Sequence, residues 1–440
     1  MKLIFLRVRL NKIQTGNIYK LLLNVELKIE KFMKRKHLYF SLLFVAVAFS
    51  LMLSSCKKEP APLALKSLMA GTIDLNGATS PSNVPVSPTI VATFNVEVDP
   101  LTATTANITM VQDYDDAPIT ITVTPSGKTI TIVPQASLGT GALYQLSFGA
   151  GLKSTDDLPI TAFQRTFTTE GAFAPAGAIA HFTFEDNAND VVGAYDPLPA
   201  DVIDITYTAS RKAAAGKAAT FNGTTSIIEV PNGDVIMNTT TFTVAFWVKT
   251  NSADKTNGHF VMGLAGWNGF QYEIFGGYDG SKFGVQYQLA TGSASEDMWF
   301  PALADVSWQG WTYAKSYTVA EMTALLKDAW INVVYTFNGP TKVGTLYFNG
   351  QKMKSFDFNL WPEGDTKRGV TGLKYAGLPL GNNLAFGFIQ GRNNRTILDD
   401  WADYSLTTNN HLKGQLDDVR FWHKTLTDNE ILLMYNSEKP

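Results

Sequence analysis

Much of the chain alternates apolar and polar positions with a period of two, as half-buried strands do. In "TIVATFNVEV", Ile90, Ala92 and Phe94 alternate with Thr89, Val91 and Thr93. "PITITVTPSGKTITIV" sets Ile119, Ile121 and Val123 against threonines, turns at Pro125-Ser126-Gly127 and returns through Ile130 and Ile132, which predicts a hairpin. "LYQLSF" puts Tyr144, Leu146 and Phe148 on one face, and "FQRTFTTE" closes this region near Glu170. After the Gly/Ala/Pro stretch "GAFAPAGAIA" the strands resume as "TSIIEV", "TFTVAFWVKT", "WINVVYTF", "GTLYFNGQK", "LAFGFIQG" and "LDDVRFW". Phe242, Val244, Phe246 and Val248 share one face, with Trp247 on the other; Asp417 alternates onto the face of Val419 and Phe421.

Two segments switch to helical spacing. Thr318-Val319-Ala320-Glu321 and Thr427-Asp428-Asn429-Glu430 are capping boxes followed by apolar residues. The second helix would pin the C-terminus through Ile431, Leu432 and Met434 or Tyr435. The aromatic segments around residues 295–313, 361 and 401 lack a clear period and read as loops.

The N-terminal region follows another pattern. Met33-Lys34-Arg35-Lys36 is basic, Leu38–Leu53 is apolar except for Ser41 and Ser50, and Ser54, Ser55 and Cys56 follow. That order of basic, apolar and small residues is a secretory signal, somewhat short for the roughly 20 apolar residues of a stable span. The preceding 32 residues would make a very long basic region, which points to translation starting at Met33; a second amphipathic segment is the other reading.

Charge changes the picture once the signal is set aside. Residues 1–55 hold 10 of the 36 basic and 2 of the 39 acidic side chains, leaving 26 against 37, a net charge of −11, on residues 56–440. An acidic body disfavours nucleic acid and electrostatic docking on anionic lipid. Cys56 is the only cysteine, so disulfides, thiolate metal sites and a cysteine nucleophile are excluded beyond it. The 27 Phe, 16 Tyr and 35 Gly suit β structure, and 385 residues after the signal are enough for two or three domains.

Three stretches resemble known families. Leu53-Ser54-Ser55-Cys56 resembles the lipobox of bacterial lipoprotein signals, which implies cleavage before Cys56, lipid on that residue and membrane attachment through the anchor. Seven or so short strands over residues 78–170 suggest an immunoglobulin-like sandwich. "SPSNVPVSPTIVATFNVEVDPLTATTANITM" and "LGTGALYQLSFGAGLKSTDDLPITAFQRTFTTE" resemble the bacterial Ig-like domain first described in surface-layer proteins, a family of spacers and carriers. "GKAATFNGTTSIIEV", "FTVAFWVKT", "WINVVYTFNGPTKVGTLYFNGQK" and "GQLDDVRFWHKTLTDNEILLMY" resemble, in order, the laminin-G-like, concanavalin A-like lectin/glucanase superfamily over residues 178–437, departing from it in 258–329. The expected fold is all-β: an Ig-like β-sandwich, then an antiparallel jelly roll with two short helices. Residues 56–77 would be a tether and 171–177 a linker. A likeness to lipoproteins of Bacteroidota implies placement at the outer membrane, possible surface exposure included.

Chemistry is sparse. Glycosidases of this superfamily carry an E-x-D-x-x-E strand, whose carboxylates must share a cleft about 5–10 Å apart. The chain lacks that pattern, and its five histidines show no H-E-x-x-H and no Ser-His-Asp context, so a non-catalytic protein is expected. The superfamily often bridges its first and last strands with a structural calcium, an ion that takes six to eight oxygen ligands; carried over, that site names Asp190 and Asp417, then Asp186. Turn and strand aspartates held by hydrogen bonds are the other reading. All nine tryptophans follow residue 240. Trp299, Phe300, Trp308, Trp311 and Tyr313, with Trp361, Trp401 and Tyr404, could stack on pyranose faces or pack as a mini-core. Glycan is the expected partner, a protein partner the alternative and hydrolysis of glycan a third reading; the ligand stays unnamed.

Overall fold

A computed structural model describes residues 59–301, 311–377, 381–393 and 395–440. The signal segment and Cys56 lie outside the described residues. None of the described helices is long and apolar enough to cross a membrane. Of two compact units, Met1–Ala61 and Pro62–Pro440, the second holds both β domains.

The first domain is a sandwich of β1 (Leu65–Ala70), β2 (Ile73–Asp74), β3 (Ile90–Phe94), β4 (Ile108–Gln112), β5 (Pro118–Ile119), β6 (Ile121–Ser126), β7 (Thr129–Pro134), β8 (Leu143–Phe148) and β9 (Phe163–Thr168). One sheet runs β2-β1-β3-β7-β6 and the other β5-β4-β8-β9. The expected faces meet in its core: Ile90, Ala92, Phe94, Ile130 and Ile132 on one side, Tyr144, Leu146 and Phe148 on the other. The hairpin closes at Gly127, whose φ of +56° suits glycine. The tether expectation for 56–77 is corrected, because β1 pairs with β3 and Leu63, Leu68, Ala70 and Leu75 are buried in this core.

The second domain holds β10 (Ala178–Phe182), β11 (Val202–Ile203), β12 (Thr206–Ala209), β13 (Lys217–Asn222), β14 (Ile227–Val230), β15 (Thr241–Thr250), β16 (His259–Leu264), β17 (Phe270–Ile274), β18 (Ser281–Leu289), β19 (Ser293–Phe300), β20 (Trp311–Ala314), β21 (Trp330–Asn338), β22 (Val343–Phe348), β23 (Gln351–Asp357), β24 (Val370–Leu373), β25 (Leu384–Phe386) and β26 (Lys413–Trp422). The back sheet runs β12-β13-β26-β15-β21-β22-β23-β20, with β10 also on β26. The front sheet runs β11-β14-β25-β16-β17-β18-β19, with β24 also on β18. Aromatic rings fill the space between them: Phe246 meets Tyr272 at 5.4 Å, and Phe283 stacks on Tyr335 at 4.6 Å.

Three helices are described: α1 (Gly233–Met237), which the sequence pattern missed, α2 (Val319–Leu326) and α3 (Asp428–Glu438). Both capping boxes form. Thr318 Oγ1 accepts from Glu321 N at 3.3 Å while Glu321 Oε2 accepts from Thr318 N at 2.8 Å; Thr427 and Glu430 repeat the arrangement at 3.2 and 2.8 Å.

The two domains share packing. Ala245, Val334, Tyr347 and Trp422 on the outer face of the back sheet, with Leu426, Ile431 and Met434, belong to the same buried cluster as the core of the first domain. The linker expectation for 171–177 is corrected. Phe173 is buried and meets the Tyr114 ring edge-on at 5.3 Å, and Trp422 Nε1 donates to Pro175 O at 3.2 Å. Tyr114 OH donates to Glu430 Oε1 at 3.1 Å and Asn429 Nδ2 to Tyr114 O at 3.1 Å. A sequence rich in Gly, Ala and Pro looks flexible, but one aromatic residue in it suffices to anchor it between two apolar surfaces.

Two further expectations fail for local reasons. Segment 293–300 is the front sheet's edge strand β19 rather than a loop; Glu296 at an inward position breaks its alternation and pairs with Lys367. On β26, Asp418 has φ +47° and the register against β15 shifts between Ala245 and Trp247. This β-bulge turns the strand over. Leu416, Val419 and Phe421 face the core, whereas Asp417, Arg420 and Trp422 face outward.

Candidate functional site

The outer face of the front sheet carries a polar grid built by strand register. Glu273 on β17, Lys282 on β18 and Trp299 on β19 are directly opposed across the three strands. Gln271, Gly284 and Asp297 form the next row. Because inward positions hold Tyr272, Phe283 and Met298, alternation forces these polar residues outward. Lys282 Nζ lies 3.4 Å from Glu273 Oε1 and 3.5 Å from Asp297 Oδ2, so one ammonium bridges two carboxylates. Burial pushes the Glu273 carboxyl upward, opposed by Lys282.

Gly284 keeps the floor of this row flat. A Cβ there would stand 2.8 Å from Asp297 Oδ1 and 3.3 Å from Gln271 Cγ. Exposure falls steeply across the grid, from 48% at Trp299 to 2% at Gln271. Gln271 Oε1 is buried and has no hydrogen-bond partner among the described residues, an arrangement that ordinarily costs stability and calls for an explanation. The Trp299 ring is held beside Phe275 at 5.2 Å, with Lys282 Nζ 5.1 Å from its centroid. Its carbonyl accepts from Lys354 Nζ at 2.9 Å, which joins this edge to β23 of the back sheet. Together these groups offer an aromatic face, carboxylate acceptors, an ammonium donor and an unpaired amide acceptor.

The other aromatic residues predicted from sequence scatter. Tyr313 is exposed on β20, with Lys352 Nζ 5.5 Å from its ring. Phe300 is buried in the core. Trp361 is corrected from ligand platform to core: it is buried against Phe356 and Phe358, at 5.5 and 4.4 Å. Trp308 lies outside the described residues, and of Trp311 only the strand position is described. Trp401 is 37% exposed on a loop over the opposite half of the front sheet, edge-on to Phe260 at 6.2 Å. Sequence reasoning missed Gln271, Glu273, Lys282, Gly284 and Asp297. The signal was there in "FQYEI" and "SKFGVQYQL", whose polar residues alternate, but strand order was needed to bring them together.

The three aspartates proposed for calcium are engaged in other work. Asp190 accepts four backbone N–H groups, from His181, Val192, Ala194 and Tyr195, at 2.8 to 3.2 Å. Asp186 is paired with Lys217 Nζ at 2.5 Å. Asp417 accepts from Arg211 Nη1 at 2.5 Å, from the Ser210 hydroxyl and from Asp418 N at 2.8 Å. Among the described residues no cluster of three or more His, Cys, Asp or Glu could hold a metal ion. In this structure the three carboxylates are held by these partners and do not gather into one cluster of oxygen ligands.

Asp417 instead belongs to a buried ionic clasp over the back sheet. Arg211 Nη2 reaches Asp418 Oδ2 at 2.5 Å, its Nε donates to Glu438 O at 2.8 Å, and its guanidinium lies 4.8 Å from the Trp247 ring. Arg420 pairs with Glu438 and with Asp418, and Trp247 Nε1 donates to Glu438 Oε2 at 2.9 Å. Burial and the neighbouring Asp418 charge push the Asp417 carboxyl up. Against the cost of burial, Arg420 and His181 hold Asp418 well below the usual carboxylate range.

Residues 72–169 match the bacterial Ig-like domain, and residues 222–376 match the concanavalin A-like lectin/glucanases superfamily. No curated protein matches the chain. Among solved structures, the binding domain of Paraclostridial Mosquitocidal Protein 1 is similar at 16% identity over 59% of this chain and 52% of that one, with a TM-score of 0.38. The botulinum neurotoxin serotype D ligand binding domain in complex with N-acetylneuraminic acid follows at 16% identity over 60% and 51%, with a TM-score of 0.37. The botulinum neurotoxin type G receptor binding domain gives 15% over 59% and 51%, with a TM-score of 0.35. The chain spans about half the length of these solved chains.

Proposed function

We propose that this pairing of a bacterial Ig-like domain with a concanavalin A-like domain is a non-catalytic glycan-binding protein, and that the sugar seats on the Trp299 edge of the front sheet. The observation that carries the reading is the half-exposed Trp299 beside Glu273, Lys282 and Asp297, with Gln271 Oε1 unpaired beyond them. A pyranose C–H face stacks on the indole, and its hydroxyls meet the neighbouring carboxylates and ammonium. A glycan array probed with the full chain tests this. Binding weakened in Trp299→Ala supports it; an array profile that ignores Trp299→Ala, Asp297→Asn and Glu273→Gln refutes it. Release of reducing ends, lost in Glu273→Gln, would replace binding by hydrolysis. Leu398, Trp401 and Leu406, exposed apolar residues on one loop region, favour a second reading in which that region docks a protein.

Attachment to the envelope is part of the same proposal. Leu53-Ser54-Ser55-Cys56 supports an acylated Cys56 at the mature N-terminus and an outer-membrane location. Mass spectrometry of the membrane-extracted protein is expected to find a lipidated Cys56 peptide with nothing before it. An unmodified peptide spanning Ser55 and Cys56 would end that part of the reading.

A further inference from the structure

We propose that the back sheet carries a second ligand site, specific for a polyhydroxylated anion such as an acidic sugar. A cavity of about 600 Å³ lies at the β12-β13-β26-β15 end of that sheet, within the range of small-molecule sites. Its floor is a cross-strand row: Thr220 opposes Gln415, and Gln415 opposes Lys249. Thr208, Asn222 and Lys413 add to the polar lining, with Thr250, Asn251 and Asp328. β26 comes this close to β15 because residue 414 is glycine; a Cβ there would stand 2.1 Å from Lys249 O.

Charge names the ligand class. Lys249 has neither an ion pair nor a side-chain hydrogen bond among the described residues, although it lines the cavity. Lys413 is held by Ala253 O, and Lys255 donates to Asn409 O nearby. Asp328 is the lining carboxylate, and both its oxygens are taken by Ser252, at 2.7 Å from N and 2.6 Å from Oγ. Hydrogen bonding leaves Asp328 ionised, with Lys249 helping to stabilise that charge, so the lining sets two ammonium groups against one carboxylate, a local excess of one positive charge on a body that carries a net −11 over residues 56–440. Gln415 Nε2 donates to Thr208 Oγ1 and Ala209 O, and the Thr208 and Thr220 hydroxyls bond each other, which leaves Gln415 Oε1 and hydroxyl lone pairs to read hydroxyls on a ring rather than charge alone. This site shares no residue with the Trp299 edge, so the two fail independently.

The test uses the full chain carrying Trp299→Ala, which weakens the front edge, so that the response to substitutions at Lys249 reports the back sheet. Calorimetric titration with trigalacturonate is expected to show binding that maltotriose and sodium sulfate do not match. Lys249→Ala in that background should weaken it about ten-fold, the loss of one charge-assisted contact, without shifting the melting temperature, and Lys249→Arg should retain most of it. No trigalacturonate binding, or binding indifferent to Lys249→Ala, overturns the proposal. Equal binding of sulfate overturns the sugar assignment, and equal binding of maltotriose overturns the anion assignment.

Discussion

The part of the back sheet under the first domain and α3 and the edge of the front sheet start from the same strand geometry and are used in opposite ways. On the back sheet, outward Ala245, Val334, Tyr347 and Trp422 are apolar and lie against the first domain and α3, while Arg211 and Arg420 pair with Asp417, Asp418 and Glu438 beneath the helix. On the front sheet, outward Gln271, Glu273, Lys282 and Asp297 lead to a half-exposed tryptophan, and one of their acceptors is unpaired. Where the back sheet is covered by the first domain and α3 its ion pairs serve stability, although Asn332 Oδ1 on that sheet is also without a partner among the described residues; the half-exposed Trp299 edge, like the Lys249 end of the back sheet proposed above, offers groups to a ligand.

The largest effect is expected from breaking the clasp. Arg211→Met leaves Asp417, Asp418 and Glu438 without their shared cation and should cost about 3–5 kcal/mol in urea unfolding. A loss below about 1 kcal/mol would mean the network is bystander chemistry. Calcium should not rescue it: wild-type melting is expected to be the same in calcium and in chelator, and a calcium-dependent rise abolished by Asp190→Ala or Asp417→Ala would contradict the assignments made above. Next comes the docking surface. Ile431→Ala should cost about 2–5 kcal/mol and separate one unfolding transition into two, because it loosens the packing the two domains share. A single, unshifted transition would show that each domain folds without the other.

A smaller effect tests the jelly roll interior. Burial, then Lys255, pushes the His259 imidazole down to about 3; Lys413 N donates to its Nδ1 at 3.3 Å, and its Nε2 lies 2.9 Å from Tyr278 OH. The unfolded chain takes a proton near pH 6.5, whereas the folded domain holds this ring neutral, so unfolding binds a proton between about 3 and 6.5. His259 therefore costs stability as pH falls through that window, by about 1.4 kcal/mol per unit, and contributes no slope above it. Wild type should lose more stability than His259→Gln between pH 6.5 and 5; parallel losses would place His259 elsewhere.

The fold could be read in the sequence because alternation survives in long strands. Phe242, Val244, Phe246 and Val248 face the core, and Trp247 turns to the other side, where it meets Tyr435 at 5.8 Å. The site was harder. A bulge has no period, so Asp418 at φ +47° silently reversed the side on which Asp417 was placed. Composition made 171–177 look like a free linker although Phe173 is buried. The aromatic count singled out Trp299 but did not separate it from buried rings. Trp299 and Trp361 look alike in sequence, and only packing against Phe356 and Phe358 buries the second.

The smallest free-energy change carries the central claim, that the front edge binds glycan. Trp299→Ala removes a half-exposed ring, so stability should shift by less than about 1 kcal/mol, while glycan affinity should fall several-fold, the roughly 0.5–1.5 kcal/mol of one stacked ring beyond its buried area. Melting temperature and affinity of this one variant are measured together, on the best ligand from the array. Weaker binding at an unchanged melting temperature is the predicted result; a lowered melting temperature with unchanged affinity per folded molecule would make Trp299 a structural residue and contradict the account.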